Sequence, residues 1–533
     1  MLRRALNGYL SRESTHASGL DLLLPLHVKN VSRIDWVRAD NLVLKYPDLR
    51  ERWNHAKRLV FDHETLASLA QRLPPRQCGL LSELTEDDIR LLVERGHIRA
   101  IDPKEAKAWV RTFSVVEVEK NRRRFIAAPE LNDVAGPPGE IDFPLPTSLT
   151  EAFAHPAALQ FDVPWYYGQM GIPEATQRFF CFTAADNVTY ALQTVPTGYR
   201  HVVELAQTLT TAFARSVVDT AKPGLKAVSN TTPTHCSVYL DNVRFADSPE
   251  VLNSFIPAIR EVAASITLQI DDLGEVTIEY DFLGIHFNHA TRTTSITEKT
   301  RRKLLQARQT IDENLSLRGF LKILGLLMWC KPHTPVPLTR FYYALKFVRR
   351  RCHYAKRWAL DAPCRPWEVA RQAIHEWLNA LLSAAPREHH KSSSSPWTLI
   401  TDASLEGFGV IAIHDDRVAM ILAGEYARKE HIAILELRAV KYGIDNLVLL
   451  LSHRNTPSDT PTEVNLIVDN TSVIGRLRRG YCAAYAANNV IDQILQTTRT
   501  NNMILKQIQY CKSEYNAADW WSRVGVNFLF WAR

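Results

Sequence analysis

The chain has 533 residues, 46% hydrophobic and 23% charged, with 64 Lys and Arg against 57 Asp and Glu. That length predicts roughly three to five domains, and the composition excludes a wholly disordered or collagen-like chain. A net charge of +7 is mild, so it bears on function only where basic residues gather on one surface.

Taken in chain order, Met1–Arg12 carries three Arg and no acid, a basic start that leaves mitochondrial import as an alternative to a cytoplasmic or nuclear address. Residues 1–84 contain no interpretable motif, and Trp36, Trp53 and the scattered Arg read equally as core packing or as a nucleic-acid contact surface. Asn132–Pro146, rich in Gly and Pro, is a loop. Asp162 follows the apolar run Ala157–Phe161, and Asp241 lies in SVYLDNVRF, where Asp-Asn between two apolar runs predicts a tight hairpin turn. Short β-like runs at Phe179–Phe182, Ser237–Phe245 and Glu275–Phe287 alternate with helical stretches at Arg200–Ala221 and Pro249–Ile266, a mixed α/β pattern.

From Glu298 to Pro386 the pattern turns helical and basic, with KTRRK at 299–303 and then Lys346, Arg349, Arg350, Arg351, Lys356 and Arg357. On its own this is a solvated helix face. The most apolar run, Leu317–Cys330, is too interrupted to span a bilayer, so no membrane partner is expected. The eight cysteines include no Cys-x-x-Cys pair, which points to free thiols in a reducing compartment. HHKSSSSP, within 388–396, reads as a linker.

After it come strand candidates at Trp397–Thr401, Gly407–His414 and Arg417–Leu422. A helix follows whose Leu437, Val440, Ile444, Leu447 and Leu451 fall on one face. A strand at Val464–Val468, helical stretches, a strand at Met503–Tyr510 and a Trp-rich helix near Asn516–Ser522 complete a βββαβαβα order. Asp402 and Asp469 end the first and fourth strands, whose ends meet if the strands are neighbours. Glu436 lies about 40° from the buried stripe of its helix, and Asp519 falls in the first turn of the last helix with Asn516 as N-cap. Carboxylates gathered at one sheet edge repel one another, and divalent cations, usually Mg²⁺, relieve that repulsion. Two such ions suit in-line hydrolysis of a phosphodiester.

Thr401-Asp402-Ala403-Ser404 with Gly407 and Gly409, Glu436-Leu437-x-Ala439, Asp469-Asn470 and the 513–523 segment SEYNAADWWSR resemble the ribonuclease H domain of retroelements. The resemblance implies that Asp402, Glu436, Asp469 and Asp519 hold the metals and cut the RNA strand of an RNA/DNA hybrid. The His found shortly before the last Asp in many cellular members has no counterpart in YCKSEYNAAD.

Upstream, the 92–133 stretch LVERGHIRAIDPKEAKAWVRTFSVVEVEKNRRRFIAAPELND, then FDVPWYYGQMGIP, RFFCF, TVPTGYRHVVELAQ, YLDN and DFLGIHF with EKTRRKLL, resemble in order the fingers and palm of reverse transcriptases. By that resemblance Asp162 and Asp241 are the catalytic metal ligands. Tyr167 blocks a ribose 2′ hydroxyl, or is a packed core Tyr. Lys120 with Arg123 or Arg124 grips the incoming triphosphate, or contacts template phosphates, or is a solvated basic turn. Thr197 and Gly198 line the nucleotide pocket, Phe282, Leu283 and Gly284 position the primer, and the basic helices form a thumb. Where the family usually has a second Asp this chain has Asn242, which predicts weaker Mg²⁺ binding and a shift toward Mn²⁺.

The resemblance thus implies an α/β (α+β) multidomain chain. Residues 1–84 form an N-terminal region, 85–294 fingers and palm, 295–387 thumb, 388–396 linker and 397–533 the ribonuclease H domain. Its expected partners are RNA template, DNA primer, RNA/DNA hybrid and deoxynucleoside triphosphates, with two Mg²⁺ or Mn²⁺ ions per site. The wording of the motifs is most similar to the DIRS-like, tyrosine-recombinase group that includes Ngaro and VIPER elements, and next to gypsy-like long-terminal-repeat elements. The alternative is a polymerase-inactive or domesticated nucleic-acid-binding scaffold that keeps only ribonuclease H activity.

Overall fold

The computed structural model of the chain describes residues 24–75, 79–117, 120–139, 141–145, 148–221, 234–270, 273–311, 315–333, 336–354, 360–389, 395–427, 430–453, 461–523 and 527–531. Met1–Arg12, Cys78, Lys356, Arg357 and most of the 388–396 linker lie outside the described residues. The fold is mixed α/β with several sheets, as the sequence implies, and its described residues fall into two compact units. One comprises 24–282 with 288–290, the other 283–287 with 291–531.

The first unit opens on strand β1 (Leu26–His27) and helices α1 (Trp36–Leu44), α2 (Pro47–Phe61) and α3 (His63–Gln71). Asp35 and Asp62 cap α1 and α3 by accepting backbone N–H groups, and Pro47 starts α2 where its missing N–H costs nothing. Trp53 is fully buried with its indole N–H on Asp40 at 2.7 Å, and the Trp36 indole donates to the Gly171 carbonyl at 2.9 Å. Both belong to or pack on the main core, so core packing, rather than a nucleic-acid surface, accounts for them.

Next come α4 (Glu86–Glu94), β2 (Ile98–Ala100), β3 (Val110–Glu117), β4 (Arg122–Pro129), β5 (Ala157–Asp162), β6 (Cys181–Thr183), β7 (Thr189–Leu192) and α5 (Arg200–Ala221). Then follow β8 (His235–Tyr239), β9 (Asn242–Asp247), α6 (Pro249–Ser265) and β10 (Glu279–Phe282). All of these strands but β10 build three-stranded sheets in the orders β1-β4-β3, β2-β7-β6 and β5-β9-β8. Helix α5 is buried along most of its length and packs on α2 and α6, so Leu49, Trp53 and Val60 share one core with Phe213, Phe245 and Phe255.

The second unit carries β11 (Thr293–Ile296), α7 (Glu298–Thr310), α8 (Leu317–Cys330), α9 (Tyr342–Tyr354), α10 (Glu368–Leu382) and β12 (Arg387–Glu388). The basic residues Lys299, Arg302, Lys303, Arg349, Arg350 and Arg351 are exposed, as a solvated face requires. Glu388, which the sequence assigns to a linker, pairs with Thr293 across β11 and β12. Among the described residues no helix is long and apolar enough to cross a membrane.

The rest of this unit is β13 (Trp397–Ala403), β14 (Gly407–His414), β15 (Arg417–Glu425), α11 (Ile432–His453), β16 (Thr462–Val468), α12 (Thr471–Arg479), α13 (Tyr485–Thr500), β17 (Met503–Tyr510) and β18 (Phe528–Trp531). They form a six-stranded sheet in the order β17-β16-β13-β14-β15-β18, with β13 parallel to β16 and antiparallel to β14. Helix α11 buries Leu437, Val440, Ile444 and Leu447 as its periodicity predicts, and Leu450 goes deeper than Leu451. The Trp-rich helix near Asn516–Ser522 does not form. Two single 3₁₀ turns, Ser513–Tyr515 and Trp521–Arg523, take its place because this segment lies flat on the sheet, where a Cβ at Gly409 would collide with the Ala518 carbonyl. Within the same unit, Thr339 Oγ1 donates to Asp492 at 2.5 Å and Asn488 Nδ2 to the Thr339 carbonyl at 3.2 Å, tying the helical layer to α13.

Candidate active sites

Asp162 ends β5 and stands directly opposite Asn242, the first residue of β9, while the Val163 N–H donates to the Asp241 carbonyl at 2.8 Å. Asp162 and Asp241 are therefore neighbours at one sheet edge. The hairpin turn is Leu240-Asp241, not the Asp241-Asn242 pair that turn chemistry favours, since Tyr239 pairs with Asn242. Leu240 takes φ +54, a left-handed conformation costly for a residue with a branched side chain. Gln207 on α5 holds it there: Gln207 Oε1 accepts the Leu240 N–H at 2.7 Å and Nε2 donates to the Val238 carbonyl at 2.9 Å. Only its polarity on a buried helix marks Gln207 in the sequence.

Both carboxyls titrate above the usual carboxylate range, with desolvation the first cause. At Asp162 the charge of Lys120 opposes the rise; at Asp241 Asp162 adds to it and Arg124 opposes it. Asn242 Nδ2 donates to Asp241 Oδ1 at 3.0 Å, so its amide steadies one oxygen of the neighbouring acid. Tyr167 is half-buried, and burial followed by the charge of Asp241 raises its hydroxyl, which brings it to the same site.

Lys120 and Arg124 thus act electrostatically on the two aspartates, but Arg123 does not belong with them. Its side chain is 3% exposed, paired with Asp88 through both guanidinium ends at 2.8 Å and bonded to Ser114 at 3.0 Å. Neighbouring residues on a strand face opposite ways, so Arg124 points out where Arg123 points in. Arg123→Ala is expected to lower stability by about 3–5 kcal/mol by stranding a buried Asp88, and Arg124→Ala by at most about 1 kcal/mol. A urea midpoint unmoved by Arg123→Ala would return that residue to the ligand-facing set.

Thr197 Oγ1 accepts the Ala127 N–H at 3.1 Å, and the Gly198 N–H donates to the Ala127 carbonyl at 2.8 Å. A Cβ at Gly198 would stand 2.8 Å from that carbonyl, so this glycine is needed for approach to β4. Phe282 is buried with the Arg244 guanidinium 4.9 Å from its ring centroid. Leu283 and Gly284, at φ +52 and +81, form a turn whose carbonyls accept from the Trp329 indole at 3.1 Å and Thr300 Oγ1 at 3.0 Å.

In the second unit β13, α11 and β16 bring Asp402, Glu436 and Asp469 together, with one carboxylate oxygen of each within 4.8 Å of the others. Asp402 and Glu436 are buried. Desolvation, then Asp469 and Asp402, pushes the Glu436 carboxyl up to about 8, and desolvation with Asp469 and Asp519 pushes Asp402 up to about 6 against a lowering bond from Ser522. Asp519 acts on this group through space while its own carboxylate pairs with Arg523 at 2.7 Å. Asn516 does not cap a helix: buried, it donates to the Thr401 carbonyl at 3.1 Å and to Asp402 at 3.4 Å. Ser513 donates to Asp469 Oδ2 at 2.5 Å.

Glu436 Oε2 and Asp469 Oδ1 are buried without a hydrogen-bond donor. Buried carboxyl oxygens that gather without donors fit a hard divalent cation, whose charge would favour their ionised form. The first site offers Asp162 and Asp241 as carboxylate ligands, with Asn242 as a neutral neighbour.

No protein-family model and no curated protein matches the chain. Among solved structures it is similar to the foamy viral protease-reverse transcriptase dRH in complex with ds DNA, at 14% identity and TM-score 0.46, over 82% of this chain and 71% of that one. It is also similar to the foamy viral protease-reverse transcriptase with dsDNA, at 14% identity and TM-score 0.44, over 92% of this chain and 98% of that one. A third similar structure is that protein with RNA/DNA hybrid, at 14% identity and TM-score 0.44, over 91% of this chain and 64% of that one.

Proposed function

We propose that the chain is an RNA-directed DNA polymerase with a fused ribonuclease H, copying retroelement RNA and removing the RNA strand from the resulting hybrid. The observation that carries the reading is the presence in one chain of two separate carboxylate sites, Asp162 with Asp241 and Asp402 with Glu436 and Asp469. These oxygens would hold Mg²⁺ or Mn²⁺, which would supply Lewis-acid activation and positive charge at the reacting phosphate. The protein's own share is positional. Gln207 fixes the turn that presents Asp241, Asn516 and Ser513 fix Asp402 and Asp469, and Lys120 and Arg124 offset phosphate charge beside the aspartates. Tyr167 occupies the position expected to bar a ribose 2′ hydroxyl, and the exposed cations of α7 and α9 suit the phosphates of an A-form duplex. The motif wording supports a DIRS-like origin.

The test is one reaction: a DNA primer on an end-labelled RNA template, deoxynucleotides, and Mg²⁺ or Mn²⁺. Extended DNA together with shortened RNA is the expected result. Shortened RNA without extension selects the reading of a hybrid nuclease with an inert polymerase, to which Asn242 lends support. Neither product in either metal rejects both.

A further inference from the structure

The N-terminal strand carries no motif, yet β1 adds to the β3–β4 hairpin in parallel, Leu26 opposite Arg123 and His27 opposite Arg124. The Arg123 N–H donates to the Pro25 carbonyl at 2.9 Å and Arg123 Nε to the Leu24 carbonyl at 2.7 Å, so the register is fixed from both sides. On this sheet one face is sealed by Leu26, Arg123 and Phe125. Residues one step along face the other way. That outer face carries His27, Arg124 and Arg122, with Glu117 opposite Arg122 and exposed Lys120 in the connection between β3 and β4.

We propose that His27, supplied by the N-terminal strand, is a phosphate-contacting residue that acts with Lys120, Arg122 and Arg124 on the triphosphate of the incoming nucleotide. The inference deepens the polymerase reading and rests on it for the identity of the ligand. Through His27 the outer face meets Trp165 in the segment that follows Asp162, and Lys120 and Arg124 stand close enough to offset the charges of Asp162 and Asp241. Around His27 stand Arg122, Lys29, Lys120 and Arg124, with Glu117 as the acid among them. The ring meets Trp165 edge-on with centroids 5.5 Å apart, three residues beyond Asp162. Glu117 pairs with Arg122 at 2.5 Å and also with Arg124, so one carboxylate is shared between two guanidinium groups. A polyphosphate brings more anionic oxygens than Glu117 can, and both Arg side chains gain by reaching to it. His27 extends the donors of this face toward Trp165.

The test is calorimetric titration of the full chain with inorganic tripolyphosphate in EDTA, comparing wild type, His27→Ala, His27→Gln and Arg124→Ala. His27→Ala is expected to weaken binding about tenfold, comparably to Arg124→Ala. His27→Gln, which keeps a donor and much of the volume, is expected to recover part of the loss. In primer extension the KM for deoxynucleotide should rise in parallel. Wild-type affinity in folded His27→Ala, shown by an unchanged melting temperature, overturns the proposal, as does no binding by wild type. Should His27→Ala unfold, equal affinity of His27→Gln, wild type and Arg124→Ala overturns it instead. Loss of tripolyphosphate binding in His27→Ala, from a wild type that extends no primer, rejects the polymerase reading and leaves the anion site standing.

Discussion

If the chain cleaves hybrids as proposed, Glu436→Gln and Asp402→Asn should each slow cleavage by at least about a thousandfold, since each removes one of the carboxylates that would hold a divalent cation. The same variants should gain stability in EDTA at neutral pH. Glu436 rises to about 8 and Asp402 to about 6 in the folded protein, from ordinary values of 4.5 and 3.8. The folded state therefore binds these protons more tightly than the unfolded chain. Their contribution is fully present below pH ~4 and is lost as pH rises through the folded values toward ~8. Melting temperature in EDTA should fall across that window for wild type, less steeply for Glu436→Gln, and Mg²⁺ should restore it only for wild type. Parallel melting curves for wild type and Glu436→Gln, in EDTA and in Mg²⁺, would contradict the assignment.

At the other site Asp241→Ala should abolish primer extension, again by about a thousandfold or more. Asn242→Asp should do the opposite at limiting metal. The Asn242 amide now donates to Asp241 Oδ1 at 3.0 Å, and its replacement frees that oxygen while adding a third carboxylate opposite Asp162. A more anionic site binds Mg²⁺ more tightly, so the concentration for half-maximal extension should drop about tenfold and the preference for Mn²⁺ should shrink. A metal titration in which wild type saturates with Mg²⁺ as readily as Asn242→Asp would refute this.

Much of this architecture is written locally. Helix α5 spans Arg200–Ala221 as read from the sequence, because a long apolar surface without Gly or Pro permits little else. The carboxylates of the second site were legible because Asp402 and Asp469 end apolar strands and Glu436 borders a periodic stripe. Where the structure departs from local chemistry, distant partners decide. Asp241-Asn242 has the better local chemistry for a turn, but Gln207, far back in the sequence, pulls Leu240 into it. Which of Arg123 and Arg124 faces inward depends on strand register and on Asp88, a partner 35 residues upstream. The segment near Asn516–Ser522 is not a helix because the glycines of β14 admit its backbone carbonyls, a contact that helical propensity does not register.

The burial of Leu49, Trp53 and Val60 in one core with α5 has a consequence for ancestry. A recombination joint at residue 85, where the expected fingers and palm begin, would deliver Asp162 and Asp241 on a body with one wall missing. Helix α5 would face water along the side α2 now covers, and the outer strand of the β3–β4 sheet would go with it. On packing grounds, residues 24–282 would be exchangeable only as one block that includes the motif-free stretch 24–84. A segment exchanged whole would then be longer than the segment its motifs mark.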